Sequence, residues 1–157
     1  MRLSEYTDYT LRVLMYCAAR RPQLVTIAEI ADHHGLSKNH LMKVVNDLAR
    51  QGLLATTRGR GGGLQLLADP AAIRIGDVVR ASETDFRLVE CFDASTNACV
   101  LAPDCRLKHL LEAALQAYFR SLDAATLADL TTPVAPRSGP ALVTVAAPAR
   151  RRPARPG

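Results

Sequence analysis

Apolar residues recur at intervals of three and four over several stretches of the chain, which is typical of amphipathic helices. Residues 4–20 have such a stripe, and either Ser4 or Thr7 is suited to cap its start. The apolar members of this stripe are Tyr6, Leu11, Val13, Leu14, Cys17 and Ala18. The pattern predicts a first helix in which Cys17 is an inert core thiol. Asp8 and Arg12 stand four residues apart on this helix, a spacing that favours a solvated ion pair.

Residues 26–51 contain two shorter amphipathic segments separated by a glycine. Thr26 and Glu29 have the spacing of a capping box, and Gly35 is suited to a left-handed helix end. Ser37 is then placed to cap a second helix, which continues to residue 51. The inner face of that helix comprises Leu41, Val44, Val45 and Leu48. A capped helix, a glycine turn and a second capped helix predict a helix-turn-helix.

Polar residues at the start of the second helix are of types that contact phosphates and base edges in a major groove. They are Ser37, Lys38, Asn39, His40 and Lys43. Residues 53–58 and 63–67 predict two strands joined by a basic, glycine-rich tip, where Arg58 and Arg60 are placed to reach a phosphate or a minor groove. Together these segments predict a winged helix-turn-helix that binds double-stranded DNA. A helical hairpin with a solvated polar face is the alternative.

A short helix over residues 75–81 and a long helix over residues 104–122 complete the expected secondary structure. The long helix has a wide apolar stripe of Leu107, Leu110, Leu111, Ala114, Leu115, Tyr118, Phe119 and Leu122. This stripe is suited either to burial against the helix-turn-helix or to packing against the same helix of a second chain. We favour the second arrangement, because winged helices that read palindromic operators usually work as dimers.

The predicted fold is therefore mainly α with a small β-hairpin wing, followed by a long dimerisation helix. We expect a DNA-binding domain over residues 1–80 and a cysteine loop with the dimerisation helix over residues 81–131. A disordered Pro-, Ala- and Arg-rich tail is expected over residues 132–157. Five arginines in that tail equal the whole formal charge of +5. No signal peptide or apolar run of membrane-spanning length is evident, which predicts a cytoplasmic protein without a membrane partner.

Three of the four cysteines lie in one polar loop, with the spacing Cys-x7-Cys-x5-Cys at Cys91, Cys99 and Cys105. In a reducing compartment such a group is more often metal-binding or redox-active than disulfide-bonded. Zinc usually brings a closer cysteine pair, so the wide spacing favours an iron–sulfur cluster. Structural thiols, or a disulfide that leaves one thiol over, are the alternatives. Three thiolates would leave one iron in need of a ligand from elsewhere.

Several segments together resemble the NsrR branch of the small iron–sulfur repressors related to IscR. They are the winged helix, the three-cysteine loop, residues 1–9 (MRLSEYTDY), residues 103–107 (PDCRL) and residues 122–130 (LDAATLADL). The resemblance implies a homodimer with one cluster per subunit, [4Fe–4S] favoured over [2Fe–2S], held by Cys91, Cys99 and Cys105. It also implies that Asp8 of the partner subunit is the fourth ligand. The IscR branch has a histidine three residues after its last cysteine, where this chain has Lys108.

The resemblance further implies a transcriptional repressor of nitric-oxide stress genes, which releases DNA when nitric oxide damages the cluster. One alternative is an iron–sulfur regulator that responds to cluster supply or redox state. Another is a zinc- or thiol-based redox regulator. An enzyme is not expected, because no nucleophile–base pair, carboxylate pair on a common face or cofactor-binding loop is evident in the sequence.

Overall fold

A computed structural model describes residues 2–101 and 105–131 of the chain. In that part the chain is mainly helical with one antiparallel hairpin, which confirms the predicted fold class. The elements are α1 (Glu5–Ala19), α2 (Ile27–His34), α3 (Lys38–Arg50), β1 (Leu54–Thr57), β2 (Gly63–Leu66), α4 (Ile75–Ser82), α5 (Arg106–Asp123) and α6 (Leu127–Thr131). The expected tail and the Pro103-Asp104 pair lie outside the described residues.

Local capping interactions define the helix-turn-helix largely as the sequence predicts. The Ser4 hydroxyl accepts a hydrogen bond from the Thr7 amide at 3.2 Å, so Ser4 rather than Thr7 caps α1. Thr26 and Glu29 form both hydrogen bonds of the capping box at the start of α2. Gly35 ends α2 with a φ of 65°, a conformation that glycine adopts without steric cost.

The prediction that Ser37 caps α3 is wrong. Ser37 occupies the N-cap position, but its side chain makes no capping hydrogen bond. The Ser37 carbonyl still accepts the first hydrogen bond of the helix, from the Leu41 amide at 3.1 Å, as an N-cap carbonyl does with or without a side-chain cap. Ser37 is exposed, and water can hydrate amides at an exposed helix start. Among the described residues its hydroxyl makes no capping hydrogen bond, and it stays available at the surface.

The core lies between α1, α2, α3, the hairpin, α4 and α6. It is aliphatic, and its fully or almost fully buried side chains include Val13, Leu14, Ile30, Leu41, Val44, Val45, Leu48, Leu54, Leu64, Leu66 and Leu127. In the hairpin, Leu54 pairs with Leu66 and Thr57 with Gly63, so residues 58–62 form the exposed tip of the wing. Each element of the predicted DNA-binding unit thus has one face in a shared core.

The end of the described chain returns to this core. Leu127 in α6 is fully buried, and its amide donates to the Ile73 carbonyl at 2.8 Å. The Ile75 amide donates to the Ala125 carbonyl at 3.0 Å nearby. Since α4 extends from residue 75 to residue 82, it spans the predicted boundary at residue 80. The division into units at residues 80 and 131 remains a prediction.

Helix α5 packs differently from all the helices before it. None of its residues is buried, and Leu110 near its start is 66% exposed. Phe119 and Leu122 near its end are partly buried against the core. The apolar stripe is thus covered only toward its C-terminal end, and the alternative of burial against the helix-turn-helix fails for its first half. Among the described residues, no helix has the length and apolar character that crossing a membrane requires.

Candidate cofactor cavity and DNA-binding surface

Cys91, Cys99 and Cys105 line one cavity of about 180 Å³. Cys91 lies in a short 3-10 helix over Glu90–Phe92, and Cys105 occupies the N-cap position of α5. All three thiols are free and partly buried. The other lining residues are Val89, Glu90, Leu101, Leu107, Lys108 and Leu111, of which four are apolar. The structure thus places the three predicted thiols around a single, mostly apolar space.

Polar side chains of the loop hold the backbone around these thiols. Asn97 accepts a hydrogen bond from the Cys99 amide at 2.9 Å, and Glu90 accepts one from the Ala98 amide at 2.8 Å. Asp93 accepts hydrogen bonds from the Ser95 hydroxyl at 2.6 Å and from the Ser95 amide at 2.9 Å, and these bonds lower the pKa of the Asp93 carboxyl. Such local bonds let turn-forming residues replace regular structure. They hold Cys99 in a segment outside any helix or strand, whereas Cys91 lies in the short 3-10 helix before it.

The donor set fits a cofactor held by thiolates. Three free thiols in a largely apolar cavity are the ligands that iron–sulfur clusters use. Over residues 2–101 and 105–131, no group of three or more His, Cys, Asp and Glu side chains is arranged to hold one metal ion. Cys91, Cys99 and Cys105 would hold a cluster of several iron atoms rather than a single ion.

Neither Asp8, the ligand that the resemblance implies, nor His109, which stands one position beyond Lys108, is among the residues that line the cavity. Asp8 forms the predicted ion pair with Arg12 on α1, at 2.8 Å, and its side chain is 43% exposed. His109 lies on α5 with its ring nitrogen 3.4 Å from the Glu112 carboxylate, whereas Lys108 lines the cavity. The carboxylate of Asp8 is therefore accessible from outside the chain.

Cys17 belongs to the core, as its position on the α1 stripe predicts. It is 2% exposed, and burial raises the pKa of its thiol to about 12. Because the thiolate is the form that binds metals and reacts, this cysteine is inert.

The predicted DNA-binding residues lie on the surface of α3 and the wing. Ser37, Lys38, Asn39, His40 and Lys43 are all exposed at the start of α3, as are Arg58 and Arg60 at the tip of the wing. Within the described parts of the chain, none of these four lysines and arginines forms an ion pair. Their charges are thus available for phosphates, which supply much of protein–DNA affinity.

Sequence reasoning missed two tyrosines of α1 that support this surface. The Tyr6 hydroxyl donates to Asp47 of α3 at 2.6 Å, and the Lys43 ammonium lies 5.8 Å from the centre of the Tyr6 ring. The Tyr9 ring stacks on His40 with 6.3 Å between centres. Desolvation, followed by the bond to Asp47, raises the pKa of Tyr6 to about 12. The three-residue spacing of the two tyrosines was the available signal, since it places both on one face of α1.

Comparison with known proteins identifies the family. The family model for Rrf2, described as an iron-dependent transcriptional regulator, matches residues 3–133. The chain belongs to the Rrf2 family. Winged-helix members of this family share its fold, as the likeness to solved structures confirms. CymR of B. subtilis, titled a global cysteine regulator, has a TM-score of 0.68 and 26% identity, covering 86% of this chain and 99% of CymR.

Other Rrf2 relatives define the branch. The transcriptional regulator NsrR of Bacillus subtilis is 55% identical over 131 residues, which are 83% of this chain and 90% of that protein. NsrR of Geobacillus kaustophilus is 49% identical over 83% of this chain and 89% of its own length. The IscR structure from T. potens has a TM-score of 0.64 and 25% identity, with coverage of 83% and 85%. This Rrf2 member is thus an NsrR-type transcriptional regulator.

Proposed function

We propose that this regulator is a homodimeric repressor of nitric-oxide stress genes, with an iron–sulfur cluster bound by Cys91, Cys99 and Cys105. Asp8 of the partner subunit completes the ligand set, and a [4Fe–4S] cluster is favoured over [2Fe–2S]. The protein binds a palindromic operator while the cluster is intact and releases it after nitric oxide damages the cluster. The chain acts in the cytoplasm, where thiols stay reduced.

The observation that carries this proposal is the cavity shared by the three thiols. Chain folding alone brings together cysteines that are separated by up to fourteen positions, and it leaves them unpaired with one another. Val89, Leu101, Leu107 and Leu111 would give a bound group mostly apolar surroundings on the side of the chain. Cys17 is buried elsewhere in the core and takes no part.

A second chain would supply the fourth ligand of the proposed cluster and would cover the exposed apolar stripe of α5. Asp8 is absent from the cavity lining of its own chain but is accessible at the surface. The first half of α5 leaves Leu107 and Leu110 exposed beside Cys105. Packing of α5 against its equivalent in the partner would cover these leucines, and it would bring the two chains together near the cavity.

The position of the thiols explains how a signal could reach DNA. When bound, the cluster supplies an iron that a small electrophilic diatomic such as nitric oxide can attack. Loss of the thiolate bonds frees Cys91 and Cys99 in the loop and Cys105 at the start of α5. Because two recognition helices on a palindrome must lie about one DNA turn apart, roughly 34–36 Å, a small change at the dimer helix disfavours binding.

Anaerobic titration with nitric oxide tests the proposal directly. The cluster-loaded protein is prepared without air, characterised by ultraviolet–visible and Mössbauer spectra, and titrated while operator binding is followed by gel shift. We expect an iron chromophore that is lost in step with the protein–DNA complex. Iron-free protein that binds the operator at full strength would refute the proposal.

Two alanine variants distinguish the cavity thiols from the core thiol. Cys99→Ala should remove the chromophore and weaken specific DNA binding. Cys17→Ala is the matched control and should keep both, because Cys17 lies outside the cavity. A Cys99→Ala protein with an unchanged spectrum would contradict the ligand assignment.

The same thiols also suit a second function, a redox regulator without iron. All three are unpaired and only partly buried, so oxidants can reach them. Metal analysis of the anaerobic protein separates the two functions. Colourless protein with zinc or no metal, and with DNA binding that responds to thiol oxidation, would favour the redox regulator.

A further inference from the structure

Helices α4 and α5 are joined by an ion pair between residues 43 positions apart in the chain. Two nitrogens of the Arg80 guanidinium donate to the two carboxylate oxygens of Asp123, at 2.7 Å and 2.6 Å. The same guanidinium lies over the Phe119 ring, 4.4 Å from its centre. A bidentate pair and a stacked ring fix both the position and the plane of the guanidinium, which a single contact would not.

The Asp123 carboxylate lies directly against a glycine of α4. A Cβ atom at Gly76 would lie 1.8 Å from the Asp123 oxygen and 2.9 Å from its carboxyl carbon. The backbone of Gly76 does not have a positive φ, so it is space and not conformation that favours glycine here: a larger residue would displace the Asp123 carboxylate. Alanine is the better helix former, and the position therefore departs from helix propensity in favour of a close approach.

These residues lie at only one end of α5. Asp123 is its last residue, and Phe119 meets the Phe86 ring edge-on at 4.8 Å on the preceding segment. Cys105, at the opposite end, lines the cysteine cavity. Helix α5 is thus attached to the DNA-binding body near its C-terminal end, while its N-terminal end borders the cavity.

We propose that Arg80, Asp123 and Gly76, hereafter the α4–α5 clamp, set the direction of the dimer helix relative to the recognition helix. They thereby determine which half-site separation the dimer accepts. The inference rests on the dimer of the proposed function. All three are positioning residues, since none of them lies on the α3 and wing surface that faces DNA.

The exposure of the pair argues for this role over a purely stabilising one. The Arg80 and Asp123 side chains are 40% and 33% exposed, and ion pairs at that exposure add little to folding stability. Hydrogen bonding from Arg80 lowers the pKa of Asp123, so the pair stays ionised at neutral pH. Its geometry, rather than its energy, is therefore what the contact contributes.

The test uses the full chain in its cluster-loaded form and an operator selected with that protein from random double-stranded DNA. One or two base pairs are inserted between the half-sites or deleted from between them. We expect the protein without substitutions to bind the operator about tenfold more weakly after the first base pair is inserted or deleted. Gly76→Ala should bind the selected operator about tenfold more weakly and discriminate among spacings by no more than about threefold. Its non-specific DNA affinity should be unchanged.

Further variants make the result independent of whether Gly76→Ala folds. Arg80→Gln and Asp123→Asn should flatten the spacing profile in the same way, and Arg80→Lys should restore part of it. Asp77→Asn is the matched control, because Asp77 also bonds Arg80, at 3.3 Å, but from within α4 itself. It should keep the natural profile.

The outcomes separate this inference from the function on which it rests. A natural protein that tolerates every spacing would overturn both the dimer and the clamp. A natural protein that is sensitive to spacing, with clamp variants that are equally sensitive, would overturn the clamp alone.

Discussion

The helix-turn-helix body and the long helix α5 are packed in opposite ways. In the body, α1, α2 and α3 each contribute side chains with essentially no exposure, such as Leu14, Ile30 and Leu41. Helix α5 is longer than any of them and buries no residue. Its exposed leucines are as apolar as those in the core. One region has a complete interior within a single chain, and the other does not.

This difference indicates which region keeps one conformation and which region can change its conformation. A close-packed core loses stability when any side chain is shortened, so the DNA-reading unit keeps one shape. The cysteine loop instead depends on local hydrogen bonds, and Leu107 and Leu110 in the first half of α5 are exposed. Regions with few buried contacts are the ones that open at low free-energy cost.

The largest contrast is expected from shortening one leucine in each region. Leu14→Ala should lower the free energy of unfolding by about 2–5 kcal/mol, because it leaves a cavity in a core that cannot collapse fully. Leu110→Ala, which is 66% exposed in one chain, should change monomer stability by only about 0.5 kcal/mol or less. Urea denaturation of the iron-free protein, at concentrations where it is monomeric, measures both. Equal losses would remove the distinction between the regions.

The second prediction concerns the exposed half of α5. Leu110→Glu should leave the fold intact but place a charge within the proposed dimer interface, where it would be desolvated. We expect dimerisation and operator affinity to weaken by at least about tenfold, the effect of losing an interface anchor. Analytical ultracentrifugation and gel shift measure the two. Ala113→Glu is the control, because it places the same charged side chain at another exposed position of α5. A dimeric Leu110→Glu protein would place the interface elsewhere.

Most of what the sequence predicts correctly is local. The capping box of Thr26 and Glu29, the left-handed Gly35 and the basic wing depend on residues a few positions apart, and all are observed. Ser37 shows the limit of such reasoning. Its residue type suits an N-cap, yet its side chain makes no capping hydrogen bond. The spacing of the cysteines also indicated a shared site, and the shared cavity is consistent with it.

Contacts between distant positions could not be derived in this way. Arg80 and Asp123 are 43 positions apart and meet where the end of α5 lies against α4. Tyr6 and Asp47 are 41 positions apart and meet across α1 and α3. Periodicity assigns each residue to a face of its own helix, but it does not say which residue of another helix lies opposite.

The third prediction tests the support of the recognition helix by α1. Tyr6→Phe removes the hydroxyl that donates to Asp47, and it should cost about 1 kcal/mol of stability at neutral pH. The pKa of Tyr6 is raised to about 12, so this contribution is fully present below the ordinary tyrosine value of 10.0. It is lost as the pH rises from there through about 12, because the unfolded chain ionises first. Denaturation at pH 7 and pH 11 should show the gap between the two proteins closing. A gap that is independent of pH would contradict the assignment.

The smallest effect on stability is expected at Asp8, where the two roles of one carboxylate can be separated. Its ion pair with Arg12 is exposed, so Asp8→Asn and Arg12→Gln should each change the free energy of unfolding of the iron-free protein by only about 0.3–0.5 kcal/mol. If the carboxylate also binds the partner's cluster, only Asp8→Asn should alter the visible spectrum of the anaerobic protein. Arg12→Gln removes the same pair and leaves the carboxylate in place, which makes it the matched control. Identical spectra in both variants would limit Asp8 to its ion pair, whereas a change confined to Asp8→Asn would connect the well-packed α1 of one chain to the loosely packed loop of the other.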